Sequence, residues 1–444
     1  MKNVLILGAG MVANPIIKYL LQKKYNVTVA AMNVEEAQKM VAGFPNGKAM
    51  HWLVDDEATL DKLVREHDIA VSLLPYVYHL KVANACLKNK KNMVTTSYVK
   101  PEMKALDSEV RAAGLIFINE MGLDPGIDHM SAMRIIDHVH AKGGKVEEFY
   151  SLCGALPAPE AAGNPFRYKF SWSPKGVVLA GNNDAQFLRH GETVCLPTKD
   201  LFKNPMSLEF PDLGSLDIYP NRDSIAYRDI YGIPEAQTVY RGTFRYKGWC
   251  ETLDAMKAMQ LITPEKFDFS GKSYAGFVAM MIGSKGDNIR TEAAAFLDIP
   301  VTAHALDAME WLGLFSHEPM KRTTDSPFEI TSDLMLEKMM LPKEERDMVA
   351  MMHIFRASYP DGTQEVIKSR MLDFGVPGAD TAIARTVALP AAIGVEMILE
   401  GKILEKGVHI PVLPGIYKPV LDQLETLNIR MVEEYGLPLS ANLG

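Results

Sequence analysis

Cysteine is scarce in this sequence, and the residues that occur lie far apart, at Cys86, Cys153, Cys195 and Cys250. None of them stands at the short spacing of a zinc or iron–sulfur site, so the sequence predicts no metal centre. A chain of 444 residues with so few cysteines does not rely on disulfides for its stability. We therefore expect a protein of a reducing compartment, the cytoplasm.

Basic clusters and long apolar runs are missing as well. The formal net charge is −8 and no run of lysine or arginine stands out, which argues against nucleic acid as a partner. The N-terminus leads directly into an apolar run at residues 4–7, without the charged start of a signal peptide. The most apolar later segment, residues 387–399, is shorter than a membrane span and contains Pro390 and Glu396. We expect a soluble protein without a membrane partner.

Residues 1–128 alternate short apolar runs with amphipathic segments. The apolar runs predict strands at residues 4–7, 27–31, 49–53, 69–74, 93–96 and 115–118. Helical patterns lie between them, for example at residues 12–23 and from Pro101 to Gly114. Such alternation builds a parallel sheet that is covered by helices. The predicted fold class is therefore α/β, with an N-terminal Rossmann-type, doubly wound domain.

The first strand-to-helix turn carries a nucleotide-binding pattern. Residues 8–13 read Gly-Ala-Gly-Met-Val-Ala, which is the form G-x-G-x-x-A directly after a strand. In this pattern the first glycine makes the turn, the second admits a pyrophosphate, and the final alanine lets helix and sheet pack closely. The helix that follows offers free amides to the phosphates. We predict a dinucleotide site at Gly8, Gly10, Met11, Val12 and Ala13.

The end of the second strand selects the nicotinamide cofactor. An acidic residue there binds the ribose hydroxyls of NAD, and an arginine binds the 2′-phosphate of NADP. The sequence has Ala31, Met32 and Asn33, followed by Glu35 and Glu36, and it has no arginine here. Asn33 either bonds the ribose or caps the next helix, with Glu36 completing a capping box. Because the glutamates would repel a phosphate, this stretch favours NAD.

Later strand ends also carry residues that a ligand at this edge of the sheet would meet, namely Asp55, Leu74, Pro75, Thr96, Ser97 and Tyr98. Asp55 either borders the adenosine or is a solvated turn residue. The hydroxyls of Thr96 and Ser97 either bond the cofactor or cap the helix that follows. Tyr98 either hydrogen-bonds a substrate through its phenol or packs at the rim of the sheet.

One stretch joins this domain to the rest of the chain. Residues 119–129 read Asn-Glu-Met-Gly-Leu-Asp-Pro-Gly-Ile-Asp-His, between the last predicted strand and an amphipathic helix. A strand end of a doubly wound sheet that opens into such a turn presents groups to a ligand. We predict that Asp124 faces a cleft between a cofactor domain and a substrate domain. His129 is expected to cap or pack at the start of the helix.

The pattern changes after residue 144. Segments with basic and aromatic residues at 146–153, 167–173, 219–224 and 241–246 predict an α+β substrate domain with a mixed or antiparallel sheet. Residues 353–374 resemble a strand pair around Asp361-Gly362, and an apolar helix at 381–399 is expected to cover the first domain. The predicted domains are 1–128 with a helix at about 381–415, 129–250 with 351–380, and a mainly helical insertion at 251–350.

These motifs resemble those of the saccharopine dehydrogenases of the L-glutamate-forming type. The similarity covers residues 119–129 and, in the same order, residues 153–160, 168–173, 219–224, 241–246, 311–315 and 345–348. The resemblance implies an oxidoreductase of lysine metabolism that interconverts saccharopine with L-glutamate and 2-aminoadipate 6-semialdehyde. It also implies an imine intermediate whose carbon accepts hydride from the nicotinamide of NAD(P)H.

The resemblance further implies where the ligands bind. Cofactor contacts are expected at Gly10, Met11, Val12, Ala13, Ala31, Met32, Asn33, Asp55, Thr96, Leu123, Asp124 and Pro125. Substrate contacts are expected at Ser97, Tyr98, Asp124, Arg222, Thr243, Phe244 and Arg245. At the end of the second strand, where this chain has Ala31-Met32-Asn33, the sequence of fungal members of the family looks like Cys-Arg-Thr. This departure, and the resemblance to the animal branch, favour NAD.

Saccharopine carries three carboxylates, which an acidic protein surface does not attract. Arg222 and Arg245 are the candidate clamps, because a guanidinium pairs with a carboxylate through two parallel hydrogen bonds. The acid–base candidates are Asp124, Cys153 and Tyr98. Asp124 either hydrogen-bonds the secondary amine or braces its own turn. Cys153 either carries a proton or is a small buried hydrophobe.

Two other functions compete with this hypothesis. A related imine reductase, such as carboxynorspermidine dehydrogenase, would need fewer carboxylate clamps than Arg222 and Arg245 supply. A non-catalytic nucleotide-binding protein would need only the first domain and would leave the motifs at residues 119–246 without a role. We expect small-molecule partners and, for a chain of this size, a homodimer.

Overall fold

The computed structural model describes residues 1–322 and 324–443, which form two compact units. The first unit contains Met1–Val146, Ile230–Ile233 and Ala357–Leu439. The second contains Glu147–Asp229, Pro234–Arg356 and the residues from Ser440 onward. The functional domains that we predict, with limits at residues 128, 250, 350 and 380, stay a prediction.

The strands and helices are numbered in chain order. The strands are β1 (Asn3–Leu7), β2 (Asn26–Ala31), β3 (Gly47–His51), β4 (Ile69–Ser72), β5 (Asn92–Thr95), β6 (Ile116–Ile118), β7 (Lys145–Pro157), β8 (Ala185–Arg189), β9 (Glu192–Leu196), β10 (Met206–Phe210), β11 (Gly214–Pro220), β12 (Thr238–Arg245), β13 (Phe267–Asp268), β14 (Thr324–Asp325), β15 (Asp347–Ser358), β16 (Gln364–Phe374), β17 (Gly407–His409) and β18 (Val432–Leu437). The helices are α1 (Asn14–Gln22), α2 (Val34–Val41), α3 (Glu57–Glu66), α4 (His79–Lys88), α5 (Pro101–Lys104), α6 (Asp107–Ala112), α7 (Ile127–Ala141), α8 (Pro174–Ala180), α9 (Ala226–Ile230), α10 (Trp249–Ala258), α11 (Tyr274–Ile282), α12 (Ile289–Leu297), α13 (His304–Leu312), α14 (Pro327–Lys338), α15 (Ala382–Leu399) and α16 (Pro414–Thr426).

A seven-stranded parallel sheet forms the core of the first unit. Its strand order is β17-β6-β5-β4-β1-β2-β3, so the direction of winding reverses between β1 and β4. In the central strand β1, Val4 to Leu7 are apolar and fully buried, as a strand covered on both faces requires. The predicted Rossmann-type, doubly wound sheet is confirmed. Such a sheet binds its ligand beyond the carboxyl ends of the strands at the reversal, here β1 and β4.

Two local predictions for this unit were wrong. The helix expected from Pro101 to Gly114 is divided into α5 and α6, because Leu106 N bonds to Met103 O, three residues back, and interrupts the regular helical pattern. The helix predicted at about 381–415 ends at Leu399, and the segment after it contains strand β17, which pairs with β6 in parallel. Strand β17 contains only three residues, too few to show a hydrophobic period.

The apolar helix α15 packs against α1 in the same unit. Thr381 caps it, since its Oγ1 accepts a hydrogen bond from Ala384 N (3.1 Å). By length and composition α15 could cross a membrane, but 83% of its most apolar window is buried inside the protein, as in a core helix. Its one acidic residue, Glu396, is buried and bonds to Tyr19 Oη and Lys23 Nζ.

The second unit contains a mixed sheet and a group of helices. The strand order is β10-β11-β12-β7-β15, with β8 paired to β12 and to β9. The pairs β10–β11 and β11–β12 are antiparallel, whereas β12–β7 is parallel. The predicted α+β class with a mixed sheet is confirmed, and helices α10 to α14 lie in the region predicted to be mainly helical.

Two details of the second unit differ from the prediction. Residues 167–173 do not form a strand; among the described residues, only Phe170 makes an isolated bridge, to Met340. The side chain of Asn164 bonds to both N and O of Tyr168 and so satisfies the backbone groups that a neighbouring strand would bond. The mainly helical region also ends before residue 350, because β15 begins at Asp347.

Candidate active site

The glycine turn after β1 has the geometry that a dinucleotide requires. Gly8 has a φ of +110°, and a Cβ built on it would lie 3.1 Å from Leu73 O, so glycine alone fits between β1 and the end of β4. The Gly8 amide donates to Ala30 O (2.9 Å) and fixes the turn against β2. A Cβ on Gly10 would meet nothing within 4 Å. The backbone at Gly10 is therefore open to a ligand.

Helix α1 begins directly behind this turn. No side chain of the described residues caps its N-terminus, and Pro15 occupies the first turn, where a missing N–H costs little. The other first-turn amides are available to an anion, which the helix dipole also favours. Met11 is 51% exposed beside the turn, Val12 follows it, and Ala13 is fully buried against the sheet. These residues fit the pyrophosphate of a dinucleotide.

At the end of β2, Asn33 caps helix α2. Its Oδ1 accepts a hydrogen bond from Glu36 N (3.2 Å), while the Glu36 carboxylate pairs with Lys39 Nζ (2.5 Å) and does not close a capping box. Met32 is 74% exposed, and Ala31 is buried. Of the two alternatives for Asn33, the structure contains the helix cap. Contacts of Ala31, Met32 and Asn33 with a ribose stay a prediction.

The next two strand ends are open to solvent. The Asp55 side chain is 91% exposed, and its Oδ1 lies 3.6 Å from Lys81 Nζ; an ion pair with so solvated a carboxylate adds little stability. Leu74 and Pro75 follow β4, and Pro75 is exposed. The structure thus places Asp55 as a solvated turn residue. Contacts of Asp55, Leu74 and Pro75 with the cofactor stay a prediction.

The loop at residues 119–126 folds tightly onto itself. Gly126 has a φ of +148°, and a Cβ on it would lie 2.0 Å from Gly122 O, so no other residue fits. The amide of Ile127 donates to Gly122 O (2.9 Å), and the Asp124–Pro125 peptide bond is cis. Between residues 121 and 130, Asp124 alone is not buried. The loop therefore presents the Asp124 carboxylate and hides its neighbours, including Leu123.

Two of the predicted site residues meet at this loop. Tyr98 Oη donates a hydrogen bond to Asp124 Oδ1 (3.1 Å). The loop is also bonded to the chain that follows β5, since Glu120 N donates to Ser97 O and Met121 N donates to Thr95 O, each at 3.1 Å. Ser97, Tyr98 and Asp124 are therefore held on one edge of the first sheet.

A buried histidine that the sequence analysis did not identify stands behind Ser97. His79 Nδ1 lies 2.8 Å from Ser72 Oγ, and Nε2 lies 2.8 Å from Ser97 Oγ and 3.4 Å from Thr95 Oγ1. Its side chain is 5% exposed, and this burial lowers the pKa of the imidazole to about 4. The available signal was a histidine at the start of the helix that follows β4, a strand of the ligand edge.

His79 makes the stability of the fold depend on pH. Its pKa falls from 6.5 to about 4 on burial, and the pKa of His67 is lowered for the same reason. Between these values the unfolded chain binds protons that the folded chain does not, so the free energy of unfolding rises with pH. The contribution of His79 is fully present above pH 6.5 and is lost as pH falls towards 4, by about 3 kcal/mol.

Urea unfolding at about pH 7.5 and pH 4.5 measures this difference. The variant His79→Gln lacks the titrating group, so it should lose less stability than the parent between the two pH values. The stability that carboxylates and the other histidines contribute changes equally with pH in both proteins. The difference between the two losses therefore measures the contribution of His79. An equal loss in parent and variant would contradict the prediction.

A second network of buried hydrogen bonds, formed by Glu120, His129 and Tyr231, stabilises the loop at residues 119–126. His129 is fully buried, with Nε2 2.6 Å from Glu120 Oε2 and Nδ1 2.7 Å from Tyr231 Oη. The other oxygen of Glu120 accepts a hydrogen bond from Val99 N (2.8 Å), next to Tyr98. His129 thus packs inside α7 and does not cap it. Neither Glu120 nor Tyr231 was predicted, because Tyr231 lies 102 residues from His129 and no local pattern identifies Glu120 as the second partner of this histidine.

In the second unit, strand β12 arranges the predicted substrate residues. Alternation along the strand puts Thr243 and Arg245 on one face and Phe244 on the other. Thr243 is the register partner of Cys153 in the parallel strand β7, so these side chains are neighbours on the same face. Cys153 is 7% exposed. The ring of Phe244 packs against Phe210, with centroids 5.7 Å apart, on the opposite face.

Arg245 lies in an aromatic cage. Its guanidinium carbon is 4.9 Å from the ring centroid of Tyr168, 5.4 Å from that of Trp249 and 5.8 Å from that of Tyr219. Its Nη1 donates to Phe244 O (2.8 Å), and its Nε has no hydrogen-bond partner among the described residues. The side chain is 4% exposed. Burial raises the pKa of Tyr168 and Tyr219, which keeps both phenols neutral beside the cation.

The other basic residues of the second unit differ in exposure. Arg222 is exposed in the segment after β11, where it has a φ of +53° and its carbonyl accepts from Gln186 N (2.9 Å). Arg241 is buried and donates from Nη1 to Tyr227 Oη (2.7 Å). Lys169 pairs with Glu345. Arg222 is thus the most exposed of these three basic residues.

Two family models together match most of this chain. A model described as "Saccharopine dehydrogenase NADP binding domain" matches residues 4–118, and one described as "Saccharopine dehydrogenase C-terminal domain" matches residues 122–429. The chain belongs to the saccharopine dehydrogenase family. The boundary between the two models falls within residues 119–121, at the start of the loop that carries Asp124.

Individual saccharopine dehydrogenases match over their full length. "Saccharopine dehydrogenase [NADP(+), L-glutamate-forming]" of Schizosaccharomyces pombe is 37% identical and covers 98% of this chain and 99% of its own. The protein of that name from Saccharomyces cerevisiae is 36% identical and covers 99% of this chain and 98% of its own. "Alpha-aminoadipic semialdehyde synthase, mitochondrial" of Mus musculus is 36% identical over 96% of this chain and 47% of its own.

A solved structure of the family has the same fold. "Apo histidine-tagged saccharopine dehydrogenase (L-Glu forming) from Saccharomyces cerevisiae" superposes with a TM-score of 0.91 at 35% identity, and it covers 98% of this chain and 100% of its own. Among the described residues, no group of three or more His, Cys, Asp and Glu side chains is arranged to hold a metal ion. The protein is therefore an oxidoreductase of the saccharopine dehydrogenase family with a site for a nicotinamide dinucleotide.

Proposed function

We propose that this protein interconverts saccharopine and water with L-glutamate and 2-aminoadipate 6-semialdehyde, using a nicotinamide dinucleotide. The observation that carries the proposal is the full-length match, over at least 98% of both chains, to L-glutamate-forming saccharopine dehydrogenases. The open backbone at Gly10 and the uncapped helix α1 support binding of the dinucleotide. The reaction belongs to lysine metabolism.

The bonds that change define what the protein must do. Saccharopine loses a hydride from carbon and a proton from its secondary amine, which gives a carbon–nitrogen double bond. Water adds to that carbon, the carbon–nitrogen bond breaks, and the nitrogen leaves with L-glutamate. The bound nicotinamide supplies the hydride acceptor. The side chains of this chain must bind three carboxylates, orient the amine and move protons.

We propose that Asp124 binds the secondary amine of saccharopine. Its carboxylate is the partly exposed group of an otherwise buried loop, and Tyr98 Oη donates a hydrogen bond to one of its oxygens (3.1 Å). The carboxylate can therefore accept a hydrogen bond from the substrate N–H in a fixed orientation, and it can take the proton when the double bond forms. Tyr98 orients Asp124. Cys153, buried beside Thr243, remains our second candidate for proton transfer.

Two arginines are proposed to bind the substrate carboxylates. Arg222 is exposed and can form the bidentate pair that its guanidinium allows. Arg245 lies within an aromatic cage, and its Nε donor has no hydrogen-bond partner among the described residues. Ser97 and Thr243 add hydroxyl groups, and any contact at Phe244 would use its backbone, because its ring faces the other side of the sheet.

We further propose that NAD is preferred to NADP. The end of β2 presents an exposed Met32 and a neutral Asn33, and residues 30–36 contain no arginine for a 2′-phosphate. The family model and the fungal relatives carry NADP in their descriptions, so this chain would differ from them at Met32.

The scattered cysteines support a cytoplasmic location, and a homodimer is proposed from the chain's size.

Absorbance of the reduced nicotinamide tests the function. Purified protein with saccharopine and NAD should produce the reduced cofactor together with L-glutamate, and NAD should be used with a higher kcat/KM than NADP. No reduction with either cofactor, by folded protein that binds the dinucleotide, would refute the proposal. Turnover of polyamine-type imines would then indicate a carboxynorspermidine dehydrogenase, and binding without turnover would indicate a nucleotide-binding protein.

A further inference from the structure

A network of hydrogen bonds joins Ser72, His79 and Ser97 and ends at the ligand edge of the first sheet. Ser72 is fully buried at the end of β4, and Ser97, which follows β5, is partly exposed. Both hydroxyls lie 2.8 Å from a ring nitrogen of His79. This network therefore connects β4, a strand at the reversal of the sheet, to Ser97, which we propose as a substrate contact.

The partners of Ser72 determine the direction of these hydrogen bonds. Among the described residues, His79 Nδ1 is the only hydrogen-bond partner of Ser72 Oγ. If Nδ1 carried the proton, the Ser72 hydroxyl would have no acceptor for its own proton, and a buried donor without a partner is costly. Ser72 therefore donates to Nδ1, and the proton of the imidazole sits on Nε2. The pKa of about 4 leaves the ring with that single proton at neutral pH.

We propose that His79 is a positioning residue that donates from Nε2 to Ser97 Oγ and thereby commits the Ser97 hydroxyl to donate its proton to an oxygen of the bound ligand. The inference rests on the proposed function. Ser97 could otherwise donate or accept, because a hydroxyl rotates to suit its neighbours. With its lone pair engaged by His79, it selects an acceptor oxygen, either a carboxylate of saccharopine or an oxygen of the dinucleotide.

A double-mutant cycle tests this coupling. The four proteins are the parent, His79→Leu, Ser97→Ala and the double variant, and kcat/KM for saccharopine is measured for each. We expect His79→Leu to lower kcat/KM about tenfold in the parent, the effect of a weakened hydrogen bond to a charged oxygen, and less than about twofold in the Ser97→Ala background. An equal loss in both backgrounds, or no loss in the parent, would overturn the proposal.

Binding measurements identify the ligand oxygen. Calorimetric titration of the same four proteins with NAD gives a readout that does not need turnover. A loss of NAD affinity that depends on Ser97 assigns the acceptor to the dinucleotide, and unchanged NAD affinity with a raised KM for saccharopine assigns it to the substrate. Unchanged NAD affinity and an unchanged KM would overturn the proposal, because both sources of the acceptor would then be excluded.

Two further comparisons keep the result interpretable. The parent's turnover of saccharopine is measured first, so a failure of the proposed function is seen before any variant is compared. If His79→Leu does not fold, as urea unfolding would reveal, His79→Gln replaces it in the same cycle. Glutamine cannot reproduce both contacts of the imidazole, so the same Ser97-dependent loss is expected, and its absence would count against the proposal.

Discussion

Replacing Asp124 by asparagine is expected to lower kcat for saccharopine oxidation by at least about 100-fold, the lower limit for a lost acid–base group. Asparagine keeps the size of the side chain and still accepts a hydrogen bond from Tyr98 Oη, which lies 3.1 Å from Asp124 Oδ1. It cannot take the proton of the secondary amine. Because Asp124 is partly exposed and asparagine keeps the size of its side chain, the fold should persist.

The matched control is Tyr98→Phe. It keeps the ring and removes only the hydroxyl that donates to Asp124, so the expected loss is about tenfold, the effect of one hydrogen bond to a charged group. Initial rates at saturating saccharopine, together with NAD affinity, measure both variants. If Asp124→Asn keeps kcat within about twofold of the parent, Asp124 only braces its turn. Cys153 would then become the candidate for proton transfer, to be tested as Cys153→Ser.

Replacing Met32 by arginine is expected to raise the ratio of kcat/KM with NADP to that with NAD by about 10- to 100-fold. A guanidinium at the end of β2 would pair with a 2′-phosphate, and a charge-assisted hydrogen bond of this kind contributes about 1.5–3 kcal/mol. Met32 is 74% exposed, so the longer side chain displaces nothing. The Glu36 carboxylate, which would repel the phosphate, is already paired with Lys39 Nζ (2.5 Å).

The control for this substitution is Met32→Gln, which has a similar length but no charge. It should leave the cofactor ratio within about threefold of the parent, since the 2′-phosphate gains no cation. Two results would contradict the argument. A parent that already prefers NADP would show that residues other than an arginine at this strand end bind the phosphate. An unchanged ratio in Met32→Arg would show that the 2′ group binds elsewhere.

The sequence by itself determined the fold class, and it predicted most residues of the candidate site. Fully apolar runs such as residues 4–7 indicate a strand covered on both faces, and the turn at Gly8 and Gly10 identifies the dinucleotide site, because both follow from local chemistry. The family was recognisable from motifs that lie within short stretches of chain. The motif at residues 119–129 pointed to Asp124 for the same reason.

Only the tertiary structure decided how these residues are connected. The pairs Tyr98–Asp124, His79–Ser97 and His129–Tyr231 join positions that are 26, 18 and 102 residues apart. No local pattern encodes such contacts, because they arise when strand ends and a loop are brought together by the sheet. The surroundings of each side chain, which the sequence does not contain, likewise decided that Asn33 caps a helix and that Arg245 Nε has no hydrogen-bond partner among the described residues.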